Sequence, residues 1–404
     1  MIRSTIAFLI VVMISSCGIK LKQHDFPNPV DTNSKLISPQ PKVSYQIGKH
    51  LTIDNQFKGA RLNDLVLQND SVISITTKPE NEPINSSPWY AFRIVARDSL
   101  TIQNLTIDIR YPKDHKHRYW PNVSLDMKKW ARMDSVDTQV ADDTLSVSVR
   151  LKLISDTIWI AAQPVISSEH VQLWCDSLSK HVAVRSTSAG ISKEGRSLPF
   201  LKIGQGKKAI IIFSRQHPPE VTGFLALQFF LNELLTNDLS STFLNEYCLL
   251  VYPLMNPDGV DLGHWRHNAA GVDLNRDWAY YRQPEVKAVA DHIVNTINTA
   301  KLDVVLGLDF HSTWHDVYYT TDRSLKTKNP TFTDKWFQYL EANIAGYKVK
   351  DAPSGLRAPV SKGWFVSQFN IPGITYEIGD NTSLEFNKKK SSVAAEGLMK
   401  ILLK

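Results

Sequence analysis

Hydrophobic and polar positions change rhythm partway along the chain. From about residue 43 to 165, apolar residues alternate with polar ones in short runs at 71–75, 90–96, 105–110 and 145–151, separated by Asn, Asp, Pro and Ser. Such alternation buries one side of each strand, and short strands at this spacing predict a β-sandwich. From about 185 onward the pattern differs. The strand candidates are 209–214, 247–253, 303–310 and 373–378, rich in apolar residues as expected of strands buried on both faces. Helical spacing lies between and after them, at 221–235, 284–299, 333–345 and 392–403. In the first of these Phe224, Leu227, Phe230, Leu231 and Leu234 fall on one face. The expectation is an all-β sandwich domain at 43–180, followed at 181–404 by an α/β domain, an α/β/α sandwich around a mixed sheet.

The start of the chain reads as a processing signal. Arg3 is followed by an apolar run at 6–14, too short to span a bilayer, and then by Ile14-Ser15-Ser16-Cys17. The last four residues resemble a bacterial lipoprotein signal. That resemblance implies removal of 1–16, a lipid on Cys17, and a membrane-anchored protein of the cell envelope facing the periplasm or the cell surface. Residues 17–42 are polar and hold Pro27, Pro29, Pro39 and Pro41, as expected of the lipidated Cys and a flexible tether.

Composition changes this picture little. A chain of 404 residues is too long for one ordinary domain. Its 46 basic and 40 acidic residues, a net charge of +6, are interspersed, and nothing resembles a nucleic-acid module, so no nucleic-acid partner is expected. His-Lys-His-Arg-Tyr-Trp at 115–120 reads as a charged loop. Cys248, inside an apolar run, reads as a small buried hydrophobe. Whether it pairs with Cys175 is left open.

The chemistry begins at His217-Pro218-Pro219-Glu220, directly after the apolar run at 209–213. A strand there hands over to a helix, with Pro219 suited to the first helical position. Zinc in a hydrolase takes three ligands from His, Glu and Asp and keeps a position open for water. His217 and Glu220 provide two, and His311, at the end of another buried run, is the candidate third.

Between them lie Asn256-Pro257-Asp258-Gly259, Trp265-Arg266-His267-Asn268 and Gly271-Val272-Asp273-Leu274-Asn275-Arg276, with His311-Ser312 and Tyr376-Glu377 later. In this order, with His217-x-x-Glu220, they resemble the motif set of the zinc metallocarboxypeptidases of carboxypeptidase A type. The β-rich region, through 88–93 and 159–164, looks like the sandwich preceding the catalytic domain in the cytosolic carboxypeptidase branch. The resemblance implies one zinc ion on His217, Glu220 and His311, and Glu377 as general base. It also implies Arg266 at the oxyanion, Asn275 and Arg276 on the terminal carboxylate of a peptide, and Asp273 orienting His217. His264, His267 and His315 are not needed as ligands.

One family feature is missing: the interval 350–369 holds no Tyr to serve as the mobile substrate cap. The stretch 354–364 corresponds to the lining of the specificity pocket, where Arg357 and Lys362 would favour an acidic C-terminal residue. Two other readings compete. One is a zinc amidase acting on acylated amino acids or peptidoglycan stem peptides, against which the Trp-Arg-x-Asn and Asn-Arg motifs speak. The other is an inactive surface lipoprotein binding peptides or glycans, against which the retained Glu377 speaks.

Overall fold

A computed structural model describes residues 18–69, 71–96 and 104–404. Residues 1–16, expected to be a signal, and Cys17 lie outside the described residues. Residues 18–42 contain no helix or strand and are seated on the body rather than standing off it. The Ile19 amide donates to Asn298 Oδ1 (2.8 Å), whose Nδ2 donates back to the Ile19 carbonyl (2.8 Å). Phe26 and Thr32 are buried, the Thr32 hydroxyl donating to Asp277 at 2.6 Å. These contacts run through the backbone and single side chains, so they leave no periodicity in the sequence.

The β region is built from two sheets. The first runs, in spatial order, Ser44–Ile47, Leu51–Asp54, Ala91–Ala96, Thr157–Ala161, Asn122–Ser124 and Trp130–Arg132. The second runs Asp64–Asn69, Val72–Thr76, Asn104–Arg110, Ser146–Lys152 and Thr138–Val140. Alternate residues meet in a shared core, Ile73, Ile107 and Val149 from one sheet and Ile53, Ile94 and Ile160 from the other. Two residues of the α/β region, Val221 and Trp265, are buried in this same core.

The eight-stranded sheet of the α/β region has the order Val184–Ile191, Ser197–Ile203, Tyr247–Tyr252, Lys208–Ser214, Asp303–Thr313, Gly373–Gly379, Val317–Thr321, Asp351–Ser354. Its four central strands are parallel and the flanks bring in antiparallel pairs, giving the expected mixed sheet. Ile210 and Ile212 face a core closed by helices Val221–Thr236, Phe332–Asn343 and Leu384–Leu402. Ala209, Ile211 and Phe213 face the opposite core, closed by Pro284–Ala300 and Ser361–Phe369. Helix Ser168–Leu178 buries Val171 and Cys175 in the first of these cores, so the change from sandwich to α/β packing falls ahead of it. Cys175 and Cys248 are both buried and unpaired. Among the described residues no helix is long and apolar enough to cross a membrane.

Candidate active site

The C-terminal ends of parallel strands gather at one edge of the sheet, the usual place for a site in such folds. The Lys208–Ser214 strand ends in a sharp turn at Arg215, whose φ of +53° is rare for a side-chain-bearing residue. Its guanidinium donates to the Pro218 carbonyl at 2.9 Å and holds the turn shut. The helix starts at Val221, so Pro219 sits one residue before the N-cap, Glu220, rather than at the first helical position. Glu220 makes no side-chain cap bond, and its carboxylate points to the two histidines instead.

His217, Glu220 and His311 converge, with one donor atom from each lying within 4.8 Å of the others. His217 Nδ1 is 2.8 Å from Glu220 Oε1, and His311 Nδ1 is 2.6 Å from Glu220 Oε2. Each ring turns its Nε2 to a carboxylate, Asp273 for His217 (2.9 Å) and Asp309 for His311 (2.8 Å). A carboxylate on Nε2 fixes the proton there and leaves the Nδ1 lone pair facing the shared point, as zinc-binding histidines require. Two imidazoles and one carboxylate at such a point suit a single zinc ion with a position left open.

The charged groups at this centre also act on one another. Burial would raise the Glu220 carboxyl, but His217 and His311 outweigh it and hold the group well below the usual carboxylate range. Burial also opposes ionisation of Asp273, yet Arg266, Arg276 and His217 hold it well below normal. For His311, burial disfavours the charged ring, but Asp309 and Glu220 prevail and raise it. Glu377 is pushed up to about 8 by burial and by Glu220, against His311 and Arg118.

Helix Val221–Thr236 must approach the ligand strand closely. A Cβ on Gly223 would lie 2.4 Å from the His311 carbonyl oxygen, so only glycine fits. The Gly223 amide and the Thr222 hydroxyl both bind Ser312 Oγ at 2.8 Å, tying the Glu220 turn to the His311 strand.

Around this centre lies a cleft of about 430 Å³. It is lined by Arg266, Asn275, Arg276, Arg357, Lys362 and Glu377 as well as the three ligands. Arg266 donates through Nε to Asp273 Oδ2 at 2.8 Å, so Asp273 joins it to His217. Asn275 uses its carbonyl oxygen on the Ser361 amide (2.8 Å), which leaves its NH2 group turned toward His311 and the cleft. Arg276 bonds to the Asn275 carbonyl at 2.8 Å and stays partly exposed. Glu377 Oε2 is buried without a hydrogen-bond partner among the described residues.

Lys362 is buried, donating to the Thr320 carbonyl (2.8 Å) and to Ser354 Oγ, and burial drops it to about 8 against the pull of Asp351 and Asp322. Among the described residues no carboxylate lies within hydrogen-bond reach of it. Arg357 also borders the cleft but is exposed. His264, His267 and His315 stand outside the ligand cluster, the first two bonded to the His267 carbonyl and to Asn81. The Asn256-Pro257-Asp258-Gly259 motif caps a short helix, Asn256 Oδ1 accepting from the Gly259 amide at 2.9 Å.

A zinc carboxypeptidase family model matches residues 172–396. The chain belongs to that family. An uncharacterised protein of Zymomonas mobilis is 29% identical to this family member over 259 residues, 61% of this chain and 65% of its own. Cytosolic carboxypeptidase 6 of Caenorhabditis elegans is 28% identical over 147 residues, 34% of this chain and 32% of its own. The chain thus spans less than two thirds of the length of either relative. A solved metallo-carboxypeptidase from Burkholderia cenocepacia shares the fold with a TM-score of 0.72 at 18% identity, covering 88% of this chain and 98% of that one.

Several residues near the centre carry no mark in the sequence. Asn85 and Arg118 reach the cleft from the β region, and Tyr319 and Trp314 line it from the sheet edge. The 115–120 stretch, expected to be a plain charged loop, buries Arg118 against Asp380 at 2.7 Å and against the Ser312 carbonyl at 3.2 Å. These two partners lie far off in sequence, which is why spacing alone hides them. Asp309 could have been found by one signal, its place two residues before His311 on the same side of the strand.

Proposed function

We propose that this chain is a zinc-dependent carboxypeptidase that removes the C-terminal residue of peptides and is held at a membrane by lipid on Cys17. The observation that carries the catalytic part is the convergence of His217, Glu220 and His311 on one point, each imidazole locked by a carboxylate behind it, beside a buried Glu377. Bound there, zinc would polarise the scissile carbonyl and activate water. Glu377 accepts a proton from that water and returns it to the leaving amine. Arg266, fixed on Asp273, presents its remaining guanidinium donors to the oxygen that gains charge. The Asn275 amide and the Arg276 guanidinium take the terminal carboxylate, which makes a free C-terminus the condition for productive binding.

The same reading extends to preference. Lys362 lies buried in the cleft with no carboxylate in reach, so a substrate ending in Glu or Asp would supply the missing counter-charge. Arg357, being exposed, adds a weaker and screened attraction. The test is release of C-terminal residues from peptides ending in Glu, Lys or Phe, with zinc and with a chelator. Release of Glu fastest, abolished by the chelator, supports the proposal; cleavage that persists without metal, or a preference for Lys, overturns it.

A further inference from the structure

The loop that carries Arg266 is closed by bonds of its own region, His264 to the Gly259 carbonyl and Asn268 to the Val272 carbonyl, but between these two it is held from the β region. Trp265, Arg266 and His267 aim three consecutive backbone N–H groups at one carboxylate, that of Glu80, contributed by the β region 185 residues upstream. Oε2 accepts from Trp265 at 2.8 Å, while Oε1 accepts from Arg266 at 3.0 Å and from His267 at 2.7 Å. Glu80 is 0% exposed. Successive amides turned to one side form an anion-binding concavity, and here the anion is part of the same chain.

Neighbouring contacts hold Glu80 in place. Arg61, itself buried, donates to the Lys78 carbonyl at 2.8 and 2.6 Å, and the Ser38 amide donates to the Glu80 carbonyl at 2.7 Å. Asn81 bonds to His267 Nδ1 at 2.6 Å and to the Gly271 carbonyl at 3.1 Å, at the two ends of the loop. The Trp265 indole is sunk in the sandwich core and donates to the Trp89 carbonyl at 3.0 Å. The three amides between His264 and Asn268 are therefore fixed from the β region, in the position from which the Arg266 side chain meets Asp273 and faces the cleft.

We infer that Glu80 is a positioning residue for the reaction: its carboxylate fixes the main chain of the Trp265–His267 loop so that the Arg266 guanidinium is aimed at the reacting carbonyl. The inference rests on the proposed role of Arg266. A glutamine at position 80 cannot replace the carboxylate, because its NH2 group must meet one of the three N–H donors whichever way it turns.

The test is a double-mutant cycle of Glu80→Gln and Arg266→Ala in the full chain loaded with zinc, read as kcat and KM on a peptide with a free C-terminus. Amide hydrogen exchange across residues 264–268 is measured on the zinc-free proteins. Glu80→Gln should lower kcat about tenfold or more while KM and zinc content stay within about twofold. It should speed exchange in that segment alone, and in the Arg266→Ala background it should cost less than about twofold in kcat. Equal factors in both backgrounds, or an unchanged kcat for Glu80→Gln when Arg266→Ala lowers it, overturn the inference and leave the role of Arg266 standing. An unchanged kcat for Arg266→Ala overturns that role and the inference with it. If Glu80→Gln does not fold, Glu80→Asp takes its place in the cycle. Failure of both to fold makes Glu80 a link between the two regions and overturns the inference.

Discussion

His311 and Glu377 occupy paired positions on adjacent parallel strands, so the third candidate ligand and the candidate base are held side by side by main-chain hydrogen bonds. Backbone pairing of this kind fixes separation without relying on any side chain, and the site inherits the rigidity of the sheet.

Substituting the base should therefore separate chemistry from metal binding. Glu377→Gln is expected to lower kcat about 10²- to 10⁴-fold while zinc stoichiometry stays unchanged. Steady-state kinetics alongside metal analysis of the purified variant check this. A fall in bound zinc that parallels the fall in rate would assign Glu377 to the metal shell.

Asp273 holds His217 with one oxygen and Arg266 with the other. Asp273→Asn should weaken zinc binding about 10- to 100-fold. It should also lower kcat in zinc-saturated enzyme, since Arg266 loses its charged partner. Competition with a chromophoric chelator measures the first effect and assays at saturating zinc the second. Unaltered affinity would mean that Asp273 is not needed to orient His217.

Selectivity should follow the charge on Lys362. Burial lowers its pKa to about 8, so the amine is charged below that pH and neutral above it. The ratio of kcat/KM for peptides ending in Glu over those ending in Phe should be highest at pH 6–7 and decline above about pH 8. Lys362→Met should flatten the profile and remove the preference. A ratio that stays constant from pH 6 to 10 in the wild-type protein would show that Lys362 does not read the substrate.

Stability offers an independent check at Lys390. This side chain is 0% exposed, bonds to Asp316 at 2.8 Å and lies over the rings of Tyr318, Tyr347 and Tyr376. Burial, against the pull of Asp316, lowers its pKa from 10.5 to about 8. Between those values the unfolded chain binds more protons than the folded one, so this group's contribution to stability rises as pH climbs from 8 toward 10.5. Melting curves of wild-type and Lys390→Met proteins from pH 7.5 to 10 should diverge in favour of the wild type. Parallel curves would count against the low value.

The convergence of His217, Glu220 and His311 was legible because each stands on or beside a strand end. The four central strands were legible from their richness in apolar residues. Flanking strands such as Val184–Ile191 were not, because that edge alternates weakly and is largely exposed. Helix Leu384–Leu402 starts eight residues before the expected 392, since Asn387, Lys390 and Ser391 are buried polar residues that break the apolar stripe. Helix Ser361–Phe369 is buried nearly all round and shows no stripe to find. Glu80 and Arg118 escaped for another reason: each is a single charged residue whose partners in the α/β region lie more than 180 positions away.

The clasp between Ile19 and Asn298 leaves very little leash. With a lipid on Cys17, only one residue would separate the anchored position from a main-chain group already bonded to the helix Pro284–Ala300. Two links of extended chain reach about 7 Å. The helix Pro284–Ala300 would then lie close to the bilayer surface, and the body would turn about that point instead of ranging outward on a long tether.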